Sequence, residues 1–230
     1  VPDSIGLIGN LNVLRLFGNY LSGTIPPSIG NLTKLTYLRL HYNELSGSVP
    51  SEIGKLSNLY LLTFFENKLS GSLPLSMNNL TQLKRLFVGE NNFSGYLPQE
   101  ICHGGSFEKL TAANNHFVGS IPKSLKNCSK LMRLRLEKNQ LAGNISEDFG
   151  VYPNLEYIDL SYNEFYGELS WNWGFFGNLT KLSISNTQVS GKIPAELAEA
   201  HRIEELDLSS NHLIGNIPKE LGNLSSLRVL

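Results

Sequence analysis

Charge of either sign is scarce: 19 Lys and Arg stand against 20 Asp and Glu, a charged share of 17% and a net charge of −1. Nothing in that balance draws the chain to nucleic acid or to an anionic membrane. No apolar run approaches the ~20 residues a membrane-spanning helix needs. Cysteine is limited to two residues, which excludes a disulfide-dense scaffold. The five histidines share no metal-ligand spacing. No Ser-His-Asp pattern, phosphate loop or convergent carboxylate pair stands out from the background. No catalytic residue, metal or cofactor is therefore expected in this chain.

What is present is a period. The Asn of "NYLSG" at Asn19 recurs at Asn43, Asn67, Asn91, Asn115, Asn139, Asn163 and Asn211, always at multiples of 24, with Thr187 filling the one gap. Four residues after each comes Gly, from Gly23 to Gly215, and two further on an Ile, Val or Leu, from Ile25 to Ile217. Pro follows in most units, with Ser146 and Ser170 in its place in two. Ahead of each Asn runs L-x-L-x-x-N, as in "LRLFGN", "LRLHYN" and "IDLSYN". A fixed period of this length means stacked supersecondary units, and this pattern is the leucine-rich repeat.

The letters carry the physics. L-x-L-x-x is a short strand, leucines inward and x residues to solvent, and strands of successive units pair in parallel ~4.8 Å apart. No single coil buries its leucines; stacking does. The recurring Asn turns inward to satisfy backbone groups left unpaired at the bend. The expected fold is an α/β-type repeat solenoid, a horseshoe or superhelix with a long parallel inner sheet. It forms a single domain over 1–230 of about nine 24-residue repeats. "VPDSIG" at the start matches the middle of "IPPSIG" and "VPSEIG", and "SSLRVL" ends equally mid-unit. The chain reads as an internal piece of a longer protein, lacking both caps.

The L-x-G-x-I-P form of the repeat resembles the plant-specific class over essentially the whole chain. The stretch from "LPQEICHGG" through "KLMRLRLEKNQ" to "IDLSYN" resembles the ectodomains of plant receptor-like kinases, most of all the MIK-type subfamily, with the HAESA-type group as a relative. That resemblance implies a secretory signal and Cys-capped ends outside these residues, one membrane span and a cytoplasmic Ser/Thr kinase. It also implies the extracellular side of the plasma membrane as location. The implied partners are a secreted signalling peptide along the concave face and a shorter leucine-rich-repeat co-receptor kinase. A soluble inhibitor of a cell-wall-degrading enzyme, resembling polygalacturonase-inhibiting proteins, is the alternative; a purely structural wall scaffold is a third.

Seven N-x-S/T sequons mark candidate glycosylation sites at Asn31, Asn79, Asn92, Asn127, Asn144, Asn178 and Asn223, and four of them share one repeat position. Repetition alone copies sequons, but with the family resemblance they favour an extracellular glycoprotein. Cys102 and Cys128 lie one period plus two apart, on the same flank of adjacent coils. Cys128 stands where earlier units have Leu32, Leu56 and Leu80, so a buried thiol is one reading. In an oxidising compartment the pair would form a disulfide pinning neighbouring coils. In "SWNWGFF", Trp173 and Phe176 take core positions; Trp171 and Phe175 face out.

The solvent-facing strand positions depart from the uninformative "LDLSSN" of the last repeat in two ways. One column holds Arg85, Lys109 and Arg133 on successive rungs, with Arg135 beside them and Arg15 next to Arg39. The other feature is an aromatic row, Phe17, His41 and Phe65, with Phe87 diagonal to it. Contiguous exposed apolar side chains mark interaction surface. Glu66, Glu90 and Glu137 sit among the cations and can neutralise some as surface pairs. Over the first six repeats, Arg15, Arg39, Arg85, Lys109, Arg133, Arg135 and Lys138 still outnumber those three acids, and the last repeats turn to acid and serine. The expected ligand surface is therefore Arg15, Phe17, Arg39, His41, Phe65, Arg85, Phe87, Lys109, Arg133 and Arg135. An Arg-x-Arg pair on one strand face presents two forks to a carboxylate. In HAESA-type receptors an R-x-R at this place grips the C-terminal carboxylate of a secreted peptide, and Arg133 and Arg135 match it.

Overall fold

A computed structural model describes residues 1–230. One parallel sheet of nine strands runs the length of the chain, one strand per repeat, from Val13–Arg15 through Arg85–Phe87 and Arg133–Arg135 to Glu205–Asp207. Neighbours pair in register at the repeat period, so Arg85 opposes Lys109 and Lys109 opposes Arg133. The middle leucine of each strand is buried and the residues either side face the open surface. The leucines, with Phe93, Phe117, Phe165 and Trp173, fuse into one hydrophobic column from Leu14 to Leu224.

A second parallel sheet of nine short strands follows the ladder residues, from Ser22–Gly23 to His212–Leu213. Nothing in the repeat letters announces this sheet. The helical part of the coil is a five-residue 3₁₀ turn, such as Pro27–Asn31 or Ser51–Lys55, and no α-helix forms. So short a link leaves no room for an α-helix between successive sheets. The Pro ahead of each turn is preset for it: Pro26 and Pro50 sit at φ −75° and −68° in extended backbone. Ser170, standing in for Pro, adopts the same region at φ −85°, and the buried Trp173 and Phe176 fill the coil behind it.

The asparagines form a ladder. Asn91 donates from Nδ2 to the carbonyls of Phe64 (3.0 Å), Val88 (3.2 Å) and Gly89 (3.0 Å), and its Oδ1 accepts from the Leu69 N–H (3.0 Å). The residue before each ladder position is left-handed, as at Tyr42 (φ 55°), Lys138 (φ 57°) and Asn186 (φ 52°). That conformation costs a side-chain-bearing residue free energy. The amide next door holds the bend closed and offsets it.

Thr187 breaks the ladder without breaking the coil. Strand Lys181–Ser183 persists in register, and the Thr187 hydroxyl donates within reach of the Ile184 carbonyl (3.2 Å) and Asn211 Oδ1 (2.6 Å). Asn186 beside it supplies the left-handed residue, and its side chain makes no hydrogen bond. Cys102 and Cys128 are joined by a disulfide at a Cα–Cα distance of 5.5 Å, on the side of the coil away from the inner sheet, both buried.

Asn115 is buried and bonds the carbonyls of Val88, Ala112 and Ala113 and the N–H of Phe93. Asn115→Ala strands these groups and should lower unfolding free energy by about 2–3 kcal/mol. Thr187→Asn should raise it by about 1 kcal/mol, by completing the ladder. Urea unfolding of both variants beside the wild type checks the pair of signs.

Candidate functional site

The register turns sequence columns into spatial ones. Outward positions of the inner sheet line up as Val13, Tyr37, Leu61, Arg85, Lys109, Arg133, Tyr157 in one column, and as Arg15, Arg39, Thr63, Phe87, Thr111, Arg135, Asp159 in the next. Over the middle of these columns lies a groove of about 540 Å³. It is lined by Arg39, His41, Tyr42, Leu61, Thr63, Phe65, Arg85, Phe87, Lys109, Thr111, Arg133 and Arg135. The structure thus brings together all the expected surface residues except Arg15 and Phe17, which lie just beyond its end. Phe17 stacks on His41 with ring centroids 4.5 Å apart, and Arg15 pairs across the rung with Arg39.

Leu61, Thr63 and Thr111 form a buried floor that residue-type reasoning passed over. Their signal was present: a short or apolar residue in an outward column makes room rather than contact. Tyr157 was also missed as a site residue. Its ring carries Arg133 at 4.9 Å and Lys181 at 5.5 Å, and cation–π contacts of this kind orient a guanidinium.

The cations divide by what they already bind. Arg85 donates to Glu108 Oε2 from Nε (3.3 Å) and Nη2 (3.2 Å), and Lys84 reaches the other oxygen (3.3 Å). Glu108 was not among the acids expected to neutralise the surface. Of those that were, Glu90 accepts from Asn114 (2.6 Å), Glu66 pairs with nothing, and only Glu137 holds an arginine. Arg135 turns Nε and Nη2 onto Glu137 Oε1, so it stands closed onto its own strand's neighbour. Arg133 has no ion pair, and its buried Nε has no partner. Lys109, Arg39 and Arg15 form no salt bridge. The Arg-x-Arg fork is therefore half engaged rather than doubly open.

Glu137 is itself unsatisfied, with buried Oε2 lacking any donor. Its carboxyl is held above the usual glutamate range, first by burial and then by the charge of Asp159, against the opposing pull of Arg135. Burial, and next the charge of Arg39, push the His41 imidazole below its ordinary value, so it is neutral at pH 7. Past Tyr157 the polar groups consume each other. Ser161 and Ser183 share a hydroxyl bond (2.7 Å), Asp159 accepts from the Ser161 N–H (3.1 Å), and Asp207 accepts from Ser209 N (3.1 Å) and Oγ (2.7 Å). On the inner-sheet face, cations without an acid partner are confined to the first six repeats.

A model of the leucine-rich repeat region matches residues 4–149, and the leucine-rich repeat itself matches at 154–176, 178–200 and 202–224. The chain belongs to the leucine-rich-repeat family. Among solved structures, this leucine-rich-repeat chain is similar to a TDR receptor at 35% identity and a TM-score of 0.92, covering 99% of this chain and 39% of that one. It is similar to the LRR ectodomain of the Arabidopsis receptor kinase HAESA in complex with an extended IDA peptide hormone, at 31% and 0.88, covering 100% and 42%. HAESA with IDA and the co-receptor SERK1 matches at 27% and 0.56, covering 100% and 55%. A plant ice-binding protein matches at 32% and 0.80, covering 95% and 70%. The chain spans about two fifths of the length of the TDR and HAESA ectodomain structures. No curated protein sequence matches the chain.

The sequons separate by exposure. Asn31, Asn79, Asn127 and Asn223 each end a 3₁₀ turn and are exposed, as is Asn92. Asn144 and Asn178 are half-buried with their amides bonded, Asn144 Oδ1 to Ser146 N (3.0 Å) and Asn178 to Pro153 O and Arg202. A glycan attaches through Nδ2, so on Asn178 it would compete with the bond to Pro153 O, whereas the Asn144 oxygen would keep its donor. Trp171 and Phe175 are exposed and edge-to-face at 5.2 Å, away from the groove. No helix is long and apolar enough to cross a membrane.

A carboxyl with a raised pKa takes up its proton above the ~4.3 of a free glutamate. Carbon-detected titration should place the Glu137 carboxyl transition above that value. Protection of the Arg135 Nε–H, taken relative to a free arginine at the same pH, should fall as pH falls through the transition, because neutral Glu137 releases the guanidinium. Glu137→Gln should remove the pH dependence of that protection; an unchanged profile would show that Glu137 does not hold Arg135.

Proposed function

We propose that this chain is the ligand-binding part of a plant receptor-like kinase's extracellular region, and that it takes an extended secreted peptide along the groove. The observation that carries the reading is the distribution of open cationic donors. Lys109, Arg133, Arg39 and Arg15 have no ion-pair partner, and they flank an uncharged, partly aromatic floor. A surface shaped only for solubility would spend those charges on neighbouring acids, as the last repeats do. The likeness to receptor ectodomains determined with peptide hormones supports the same reading.

The peptide's free C-terminal carboxylate sits between Arg133 and Arg135, with Arg135 exchanging Glu137 for the ligand. Lys109 on the adjacent rung adds charge to that end. The receptor works at the plasma membrane with a shorter leucine-rich-repeat co-receptor kinase, and the catalytic step belongs to a kinase outside these residues. The exposed sequons suit a secreted chain. Within the receptors, the MIK-type assignment rests on the sequence stretch around Arg133 alone.

A second reading draws on the ice-binding neighbour. Adsorption to a lattice would use the hydroxyl row Ser22, Ser46, Ser70 and Ser94 beside the second sheet. Val118, Ala142 and Tyr166 occupy the same repeat position in the next units and interrupt the row, which favours the peptide.

Arg135→Ala should weaken binding of a cognate peptide by about 2–5 kcal/mol, as for truncating one partner of a buried charge pair. Amidating the peptide's C-terminus should cost a similar amount, and the two losses should not add, because they remove one interaction. Lys181→Ala should be nearly silent: Lys181 lies beyond the groove, bound to Glu205 at 2.7 Å. Calorimetry on the four combinations decides, and equal effects at Arg135 and Lys181 would leave only general electrostatic attraction.

A further inference from the structure

The groove has two separate sets of open cations, not one. At one end stand Lys109 and Arg133, with Arg135 held by Glu137 beside them. At the other, Arg15 and Arg39 oppose each other on adjacent rungs, two like charges with no acid paired to either. Like charges so placed destabilise a sheet. Arg39 Nε and His41 Nδ1 beside it are both buried without a hydrogen-bond partner, although both line the groove. Between the two ends, Arg85 is neutralised by Glu108, and the column joining Arg39 to Arg135 passes only Thr63, Phe87 and Thr111.

We propose that the Arg15–Arg39 end is a second anion subsite, and that it takes an acidic side chain of the same peptide at a fixed distance from its C-terminal carboxylate. This rests on the peptide reading and adds a ruler to it. Arg39 and Arg135 share one column, and the rungs Arg39–Thr63, Thr63–Phe87, Phe87–Thr111 and Thr111–Arg135 separate them. At ~4.8 Å per rung that is ~19 Å, and an extended peptide advances ~3.3 Å per residue. The acidic residue therefore stands about six positions before the C-terminus. With the carboxylate at the Arg133–Arg135 end, the peptide runs from the early repeats to the later ones. The residues between meet Phe65, Phe87 and the threonines, so they carry no charge.

The test uses the whole chain and a synthetic decapeptide series of Ser, Gly and Leu with a free C-terminus, a single Asp being moved from three to nine positions before the end. Fluorescence anisotropy at fixed salt should show tightest binding with Asp about six residues from the C-terminus, by about tenfold over the other positions. Arg39→Gln should flatten that maximum while leaving the penalty for C-terminal amidation. Arg135→Ala should remove the amidation penalty and flatten the maximum as well, because the spacing is read only when both ends are anchored. Arg39→Gln should melt no lower than the wild type, since it removes a like-charge contact, so misfolding would not account for a flattened profile. Binding that depends on amidation but not on the Asp position overturns the second subsite and leaves the carboxylate reading standing. Binding indifferent to both overturns the two together.

Discussion

The asparagine of each coil satisfies backbone groups of two coils at once. Its amide nitrogen donates to a carbonyl of the preceding coil as well as to two of its own bend, and its oxygen accepts a backbone N–H of the preceding coil. Buried backbone groups left without partners are expensive, so the side chain fixes how each coil sits on the last. Everything else in the molecule inherits that spacing: the left-handed residue before it, the register of the inner sheet and the alignment of outward side chains into columns. The exception is instructive. Thr187 supplies one short donor where an amide would supply more, and Asn211 of the next coil bonds to it and to the Val189 N–H. The ladder tolerates one weak rung because its neighbours are complete.

Rigid register gives a repeat protein an array of addresses, and the array is filled unevenly. In the later repeats serines and aspartates bond each other and the strand backbone, leaving few groups for anything else. In the earlier repeats Arg39 and Arg133 keep buried nitrogens without acceptors, and Arg15 and Arg39 repel across one rung. Solubility alone does not account for arrangements that cost stability and recur over one contiguous face; the proposed peptide would. Aromatic supports make the case stronger. Tyr157 carries Arg133, and Phe17 stacks on His41, so the polar tips are held in place before anything binds. Preorganisation of this kind lowers the entropy lost on association.

Glu137 shows how a repeat surface can hold a cation without fully satisfying it. It neutralises Arg135 in the free protein, yet its second oxygen is buried and unpaired, and its carboxyl is raised by burial. The pair is incomplete, and under the proposed reading a peptide carboxylate bonded to both Arg133 and Arg135 would compete with it. A fully satisfied internal pair would have sealed the site.

The period itself was legible in the letters. Asn at every twenty-fourth position and Leu at fixed offsets determine a stacked parallel solenoid, because no other arrangement buries those leucines and satisfies those bends. From the same spacing follow the outward columns, since a period-two strand in register leaves one answer for which residues share a face. The second sheet, the 3₁₀ form of the coil's back and the left-handed residue at Tyr42 or Lys138 were not legible, because they arise from how coils close on each other and not from any residue's preference. Nor were the partners of the charges. In sequence Glu108 adjoins Lys109 and Glu137 lies between Arg135 and Lys138, but the coil geometry sends Glu108 to Lys84 and Arg85, a period away, and Glu137 to Arg135 alone. Residue type and spacing determined where the cations stand. Only the packed coils decided which of them remain open, because ion pairing depends on side-chain direction and burial across neighbouring coils, which one-dimensional order does not carry.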